Sequence, residues 1–394
     1  MIKVLAVADP AVLTYADKDV NIISKWTETS GVEVEFSILP WAEYFAALME
    51  TLSGNGKDRK SDYDIVMVAG HLWLQDFINR GFLQPLEGIK AAITNYGPYE
   101  DLLPGVRDEI ELDGKVWLTP SFTDGHIIYY KKERIFELTG RHLPKILTPS
   151  EYLALVKEIG NNPAMEDKKF LAMKAHPSEI FLDWLPFYYE EGKSVFDENL
   201  NLLFNTPEAA RALGRYLELK EFALPGAELF GNEEVCAALQ SDDCLIGVSW
   251  GGQASFIIND EILKADNMGY ATFETPWNVS WSFGVPASAD FTNEVRDFLA
   301  YLASPEVDRI IGKGAGSPVR SASYKAENSL LPWYPIQEEM ISRSKRLPGF
   351  TGSGDVYGLF YKWIFQAFTG EISPEEALAE LEKAVSAEIK KLHT

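Results

Sequence analysis

The sequence of 394 residues predicts an α/β protein, with a mainly parallel sheet in its first hundred residues. In the first hundred residues, short apolar segments typical of strands alternate with segments whose apolar residues recur at helical spacing. The length allows about two or three domains, each able to bury a sizeable core. The composition is that of a globular protein, with 46% apolar and 24% charged residues.

The N-terminal segment defines three strands and three helices. The strands are predicted at Lys3–Ala8, Val32–Leu39 and Asp64–Val68, and the helices at Val20–Thr29, Tyr44–Leu52 and Leu72–Asn79. The polar run Ser53–Ser61 is expected to be a loop. Since ligands bind at the carboxyl ends of strands in parallel sheets, we expect contacts from Asp9-Pro10, Pro40-Trp41 and Gly70–Trp73.

The rest of the chain has clear helix starts and several shorter strands. Capping boxes begin helices at Thr148–Glu151 and Ser373–Glu376, and Thr206-Pro207 and Ser304-Pro305 begin two more. Strands are predicted at Lys115–Thr119, Ile127–Lys131, Cys244–Trp250 and Phe283–Pro286, with Pro120–Gly125 as a break between the first two. No long linker separates two domains, which indicates several short crossings.

The charge balance excludes some function classes. With 36 Lys and Arg against 59 Asp and Glu, the net charge is −23, which argues against binding nucleic acid or a polybasic contact with a membrane. No stretch reaches the length of a membrane span, and no signal peptide is visible, so we expect a cytoplasmic protein or a mature exported domain. Cys236 and Cys244 allow one disulfide but no metal site.

Catalytic and metal motifs are mostly absent. There is no G-x-S-x-G or H-E-x-x-H, a P-loop ending in Lys193-Ser194 fails because Phe187 stands where glycine is required, and the five histidines lack metal-ligand spacing. A run with the spacing of a calcium loop consists of Asp197, Asn199, Asn201 and Glu208. Leu202 stands where that loop needs glycine, so we interpret the run as a turn before a helix.

The aromatic residues indicate a binding pocket. Six of them fall near predicted strand ends, breaks or loops: Trp41, Trp73, Trp184, Trp250, Trp281 and Tyr357. Polar side chains near them in the sequence are Asp9, His71, Asp124 and Gln253. An aromatic ring matches the C–H face of a sugar, and carboxylates or amides match its hydroxyls. The set therefore favours a shared pocket for a carbohydrate.

A resemblance to a known family rests on segments in a fixed order. They are Tyr63–Val68, Phe77–Leu86, Gly114–Pro120, Ile128–Lys132 with Phe136, Leu245–Trp250, Phe283–Ala287, Phe298–Pro305 and Gly370–Ala377. In this order the chain resembles, over nearly its whole length, the extracellular solute-binding proteins of ABC importers, in the carbohydrate-binding group that includes maltose-binding protein.

The resemblance implies a two-lobed periplasmic-binding-protein fold with three crossings and a ligand cleft between the lobes. The lobes would comprise residues 1–122 plus 284–325 and residues 123–283 plus 326–394. The implied function is binding of a sugar or oligosaccharide and its delivery to the permease subunits, without catalysis and without a cofactor or metal. A monomer located in the periplasm, or held at the cell surface as a lipoprotein, is expected.

The resemblance also assigns ligand contacts. Asp124 matches a cleft glutamate, Tyr357 a stacking tryptophan, and Phe181 and Trp184 an aromatic pair. Lys131 replaces the family's asparagine, and Gly251 or Gly252 replaces an aromatic, so the ligand need not be maltose. The complete candidate set is Asp9, Trp41, His71, Trp73, Asp124, Phe181, Trp184, Trp250, Gln253, Trp281, Arg320, Asp355 and Tyr357.

Three other functions stay open. The same fold could bind a polyamine or another small polar solute, as the net charge and Asp9, Asp124 and Asp355 suggest. Ferric iron fits poorly, since the adjacent tyrosines Tyr129-Tyr130 and Tyr188-Tyr189 would point to opposite faces of a strand. A secreted glycoside hydrolase would share the aromatic pocket but needs two carboxylates that flank the scissile bond.

Overall fold

A computed structural model describes residues 1–53, 60–197, 199–258, 265–315, 317–327 and 331–392. Most of the predicted loop Ser53–Ser61 lies outside these residues. The chain divides into two compact units. Unit 1 comprises Met1–Asp124, Val279–Leu330 and Gly349–Thr351, and unit 2 comprises Gly125–Asn278, Leu331–Pro348 and Gly352–Thr394. Asp124 lies in unit 1, whereas the predicted lobe boundaries put it in the C-terminal lobe.

The strands of the described residues are short, apart from one. They are β1 (Ile2–Val7), β2 (Val34–Leu39), β3 (Ile65–Ala69), β4 (Glu111–Leu112), β5 (Lys115–Val116), β6 (Leu118–Lys131), β7 (Ile146–Leu147), β8 (Leu171–Ala172), β9 (Ile246–Trp250), β10 (Met268–Phe273) and β11 (Asn278–Gly284).

The helices of the described residues cover more of the chain than the strands. They are α1 (Pro10–Ala16), α2 (Ile22–Ser30), α3 (Trp41–Ser53), α4 (Gly70–Asn79), α5 (Ile89–Thr94), α6 (Pro104–Ile110), α7 (Lys132–Thr139), α8 (Pro149–Gly160), α9 (Ile180–Glu190), α10 (Pro207–Glu218), α11 (Asn232–Gln240), α12 (Ala254–Ile257), α13 (Asn293–Leu302), α14 (Pro305–Ala315), α15 (Ser321–Glu327), α16 (Tyr334–Arg343), α17 (Ser353–Thr369) and α18 (Pro374–Leu392). None of these described helices is both long enough and apolar enough to cross a membrane.

The sheet of unit 1 runs in the order β2-β1-β3-β11-β6. Strand β1 pairs in parallel with β2 and β3, and β11 pairs antiparallel with β3. All five residues of β3 are buried, as its unbroken apolar run predicts. Because β1, β2 and β3 are parallel, their carboxyl ends lie at one edge of the sheet.

Unit 2 contains antiparallel as well as parallel pairs. Strand β6 pairs antiparallel with β9 and β10, while β8 with β9 and β7 with β10 are parallel. The α/β class is confirmed, and the strands of the first hundred residues pair in parallel as predicted. The later strands add antiparallel pairs, so the sheet as a whole is mixed.

The predicted break at Pro120–Gly125 is wrong. Strand β6 runs without interruption through these residues and is buried from Leu118 to Tyr130. At Gly125, an added Cβ would lie 2.4 Å from the Met340 sulfur and 2.8 Å from the Trp277 carbonyl oxygen. The glycine therefore serves close packing inside a strand rather than a turn.

The four helix starts predicted from Ser or Thr caps are confirmed. The capping box of α8 forms from Thr148 and Glu151, and the Thr206 side chain caps α10. Ser373 and Glu376 exchange the two hydrogen bonds of a capping box at α18. Helix α3 begins at Trp41, three residues earlier than predicted, which places this residue directly after β2 and Pro40.

Two candidate features have plain structural roles. The Asp197 carboxylate accepts hydrogen bonds of 2.8 Å from the backbone N–H groups of Asn199 and Asn201, which is the turn that the sequence analysis preferred to a calcium loop. Within the described part of the chain, no group of three or more His, Cys, Asp or Glu residues could hold a metal. Cys236 and Cys244 are both buried free thiols, so the possible disulfide is not formed.

Candidate functional site

Three tryptophans of unit 1 form a cluster at the edge of the sheet, here called the tryptophan cluster: Trp41, Trp73 and Trp281. Trp41 follows β2, Trp73 lies on α4 after β3, and Trp281 on β11 pairs with Ala69 at the end of β3. The rings of Trp41 and Trp73 are stacked with centroids 6.1 Å apart, and Trp281 meets them edge-on at 5.8 and 5.7 Å.

The tryptophan cluster packs against the core of unit 1 on one side and is exposed to solvent on the other. The Trp73 ring packs against Phe45 at 5.1 Å and Phe77 at 6.0 Å, and only 4% of Trp73 is exposed. Trp281 is half-buried, whereas 41% of Trp41 is exposed. A large exposed indole held in a fixed orientation by buried rings is a surface to which an apolar face of a small molecule can bind.

Two carboxyl groups of unit 1 interact with each other. Asp9 follows β1 and caps α1, where its side chain accepts a hydrogen bond of 2.9 Å from the Ala11 N–H. Burial, together with the neighbouring charge of Asp124, raises the pKa of Asp9 to about 8. Near neutral pH, Asp9 therefore carries a proton, and this pair of acids offers both a donor and acceptors to a hydroxyl group.

Two other candidate ligand contacts of unit 1, His71 and Arg320, are not included in the proposed site. His71 lies on α4, and its side chain is outside the described ones. Arg320 is fully buried, and its guanidinium donates hydrogen bonds of 2.8 Å to the carbonyl oxygens of Ala303 and Pro98. These contacts give Arg320 a structural role, and we leave it out of the proposed site.

In unit 2, Trp250 ends β9 and is 7% exposed. Its Nε1–H donates a hydrogen bond of 3.2 Å to the Glu179 carboxylate, and the Lys174 Nζ lies 3.6 Å from the centroid of its ring. The same Nζ is 3.6 Å from the Glu179 Oε2. Gln253, three residues after Trp250, is also buried and accepts a contact of 3.7 Å from the Cys236 thiol.

A second pair of polar residues lies on the same strand pair. His126 is opposite Trp250 in the register of β6 and β9, and the two ring centroids are 4.5 Å apart. The His126 Nε2 is 3.2 Å from the Asp183 Oδ1. Burial, and secondarily the Lys174 charge, holds the pKa of His126 well below its usual value, while burial raises the pKa of Asp183 to about 7.

The remaining aromatic candidates of unit 2 are buried and stack on other aromatic rings. Phe181, Trp184 and Tyr357 are at most 1% exposed. Phe181 stacks on Tyr357 at 6.0 Å, and Trp184 stacks on Tyr188 at 5.2 Å. These are contacts of a packed core, and we do not carry the three residues into the proposed site. Asp355 is exposed in the first turn of α17.

Four buried polar residues near Trp250 were not predicted from the sequence as site residues: His126, Lys174, Glu179 and Asp183. Lys174 interrupts an apolar segment that includes β8, and Asp183 interrupts the apolar helix α9. Charged residues are almost never fully buried unless they are paired. A charged residue inside an apolar segment of the sequence, such as Lys174 or Asp183, could therefore have predicted this buried polar cluster.

Comparisons with known structures extend the description of the fold. A maltose-bound MalE3 from T. maritima superimposes with a TM-score of 0.81 at 19% identity, over 98% of this chain and 99% of that one. A solute-binding protein of an ABC transporter from Agrobacterium vitis S4, with bound D-mannitol, gives a TM-score of 0.80 at 20% identity, over 99% and 98%. The fold is therefore that of the solute-binding proteins that serve ABC transporters.

Sequence comparison gives the family. The mannitol-binding protein of Pseudomonas aeruginosa is 24% identical over 344 residues, which is 79% of this chain and 77% of that protein. Residues 12–309 match the family of bacterial extracellular solute-binding proteins. The chain belongs to this family, which confirms the resemblance noted in the sequence.

Proposed function

We propose that this protein is the extracytoplasmic binding subunit of an ABC importer and that it binds a neutral sugar or sugar alcohol, which it passes to the permease subunits unchanged. The observation that carries the proposal is the edge of the unit 1 sheet. Asp9, Trp41 and the helix that bears Trp73 follow the three parallel strands β1, β2 and β3. Ligands of open α/β sheets bind at this edge.

The chemistry of this edge suits a neutral polyhydroxylated solute. The exposed indole of Trp41 matches the C–H face of such a molecule, and the cluster behind it keeps the indole in place. The protonated Asp9 can donate a hydrogen bond to a hydroxyl oxygen, while the Asp124 carboxyl can accept one. The names of the similar proteins, which refer to D-mannitol and maltose, support the same class of ligand.

The wider role follows from the family. We expect a monomer outside the cytoplasm, free or held at a membrane surface by a lipid. The position of the solute between two lobes, as the resemblance implies, stays a prediction. Binding alone changes no bond of the solute, so the protein should return every bound sugar unaltered.

The direct test is calorimetric titration of the protein with D-mannitol, ribitol, D-tagatose and maltose, together with thermal denaturation. A ligand that binds the folded state raises the stability by RT ln(1 + [L]/Kd), or about 2.7 kcal/mol at a hundred times Kd. Asp124→Asn should weaken binding by about 1–3 kcal/mol, the scale for a hydrogen bond to a charged group.

Asp17→Asn provides the matched control, since it removes one exposed acid from the C-terminal cap of α1 in the same unit. This variant should bind like the wild type. A protein that gives neither heat nor a stability increase with any sugar or sugar alcohol of the panel would disprove the assignment to this ligand class.

A cationic solute such as a polyamine is the second candidate, favoured by the same pair of acids. The neighbouring charge of Asp124 raises the pKa of Asp9, and a bound cation would relieve this repulsion. Spermidine binding should then weaken steeply with salt, because charge interactions near a surface are screened. Sugar binding should depend little on salt, so one titration at two ionic strengths separates the candidates.

A further inference from the structure

The charged group buried most completely beside Trp250 is the Lys174 ammonium. Lys174 is 0% exposed, and its Nζ makes no hydrogen bond within the described part of the chain. It lies on the face of the Trp250 indole and at ion-pair distance from Glu179, 3.6 Å in both cases. A buried ammonium is costly unless it is compensated, and here the Trp250 ring face and the Glu179 carboxylate compensate it, with a further contribution from Asp183.

The Trp250 indole is thus held in two directions. The ammonium attracts the face of the ring, while the Nε1–H at its edge donates to the Glu179 carboxylate. The two charged residues come from different segments, Lys174 after β8 and Glu179 before α9. Since β8 is parallel to β9, this triangle ties the carboxyl end of β9 to two neighbouring segments.

The carboxylate and the ammonium depend on each other. Burial raises the pKa of Glu179, whereas the Lys174 charge and the hydrogen bond from Trp250 lower it. Removal of Lys174 alone would leave Glu179 buried without its cation, and removal of Glu179 alone would leave the ammonium. Either single change therefore mixes loss of the pair with a general loss of stability.

We propose that Lys174 is a positioning residue: with Glu179 it fixes the Trp250 indole, and this fixed indole sets the affinity of unit 2 for the solute. The proposal rests on the proposed function for the affinity and on the described contacts for the fixed ring. Lys174 acts through Trp250 and does not touch the solute itself. A neutral solute suits the arrangement, because the positive charge of Lys174 already interacts with two acids of unit 2, Glu179 and Asp183.

The decisive variant is the double substitution K174M/E179Q. It removes both charges and retains a side-chain oxygen that can accept the Trp250 Nε1–H bond. Replacement of a buried ion pair by neutral groups is often tolerated, so this variant should lose less stability than either single variant. K174R keeps a cation over the ring and should behave like the wild type.

The environment of the Trp250 indole is measured by ¹⁹F NMR of protein labelled with 5-fluorotryptophan. The Trp250 resonance is assigned as the one that is lost in W250F. In K174M/E179Q this resonance should shift and broaden, and the affinity for the sugar of the panel that binds the wild type should fall about tenfold or more. The matched control is K220M, which removes another lysine ammonium that lies over an aromatic ring of unit 2, Phe368 at 4.8 Å.

Three results would overturn the proposal: an unmoved Trp250 resonance in the double variant, an unchanged affinity in that variant, or a K174R protein that matches the double variant instead of the wild type. An equal loss of affinity in K220M would also overturn it. If the wild type binds no solute of the panel, the proposed function fails separately, and the Trp250 resonance still decides whether the charge pair fixes the ring.

Discussion

Tryptophans at strand ends have opposite environments in the two units. In unit 1, Trp41 follows β2 and is 41% exposed, and its neighbours in the cluster are other indole rings. In unit 2, Trp250 ends β9 and is 7% exposed, and its ring is held by a cation and a carboxylate. A strand end therefore predicts where an aromatic residue lies along the sheet, but the groups packed around the residue decide how much of its ring is exposed.

The acids of the two units differ in the same way. In unit 1, the main electrostatic neighbour of Asp9 is another acid, Asp124, which raises its pKa further. In unit 2, Lys174 opposes the effect of burial on both Glu179 and Asp183. Asp9 of unit 1 thus has another acid as its electrostatic neighbour, whereas Glu179 and Asp183 of unit 2 have a cation.

The largest expected effect on stability is the loss of a buried aromatic ring from the core of unit 2. Trp184→Ala should lower the free energy of unfolding by about 3–5 kcal/mol, because it removes a fully buried indole that stacks on Tyr188. Urea denaturation followed by circular dichroism measures this loss. Affinity for the solute, measured well below the unfolding transition, should be unchanged.

Trp184→Phe is the matched control, since it keeps a ring in the same space and should cost less than the alanine variant. A Trp184→Ala protein of unchanged stability but lost affinity would contradict the assignment of this ring to the core. It would then restore Trp184 to the ligand contacts that the family resemblance implies.

The sequence predicted local features well and burial poorly. Capping boxes at Thr148 and Ser373 were readable because a few adjacent residues determine them. The course of β6 through Gly125 was not, because the reason for that glycine is Met340, more than two hundred residues away. Phe181 and Tyr357 were predicted as ligand contacts by the resemblance, but their contacts with each other come from packing that no local pattern shows.

The second prediction concerns pH and unit 1. The pKa of Asp9 is raised from 3.8 to about 8 on folding, so between these pH values the folded protein holds a proton that the unfolded chain has released. This contribution to stability is complete below about pH 4 and is lost as the pH rises through 8. Asp9→Asn should remove the dependence and be more stable than the wild type at pH 9, by about 2 kcal/mol after allowance for partial exposure.

Asparagine is also a good N-cap, so this variant should keep α1 intact. Melting temperatures of both proteins across pH 4–9 provide the measurement. Asp124→Asn removes the neighbouring charge, so the pKa of Asp9 should fall. The range of pH over which Asp9 changes the stability should therefore become narrower. Parallel stability curves for wild type and Asp9→Asn would show that the Asp9 pKa is not raised.

The third prediction tests the exposed ring of unit 1. Trp41→Ala should reduce the affinity for the solute by about 1 kcal/mol, the scale of an aromatic contact, and should also cost about 1 kcal/mol of stability through the lost ring contacts with Trp73 and Trp281. Tyr96→Ala is the control, because Tyr96 is 44% exposed in the same unit and lies outside the cluster. Equal losses of affinity in the two variants would show that Trp41 has no special role.

The smallest expected effect concerns Asp355 of unit 2. This exposed acid lies in the first turn of α17, a helix of 17 residues, where a negative charge interacts favourably with the helix dipole. Asp355→Asn should therefore cost about 0.3–1 kcal/mol of stability, and the cost should shrink as salt is added. The affinity of Asp355→Asn for the solute should stay at the wild-type value. The matched control is Glu375→Gln, in the first turn of α18, which should lose a similarly small amount of stability. A variant with lowered affinity and unchanged stability would instead make Asp355 a ligand contact, and an exposed acid of unit 2 would then take part in binding.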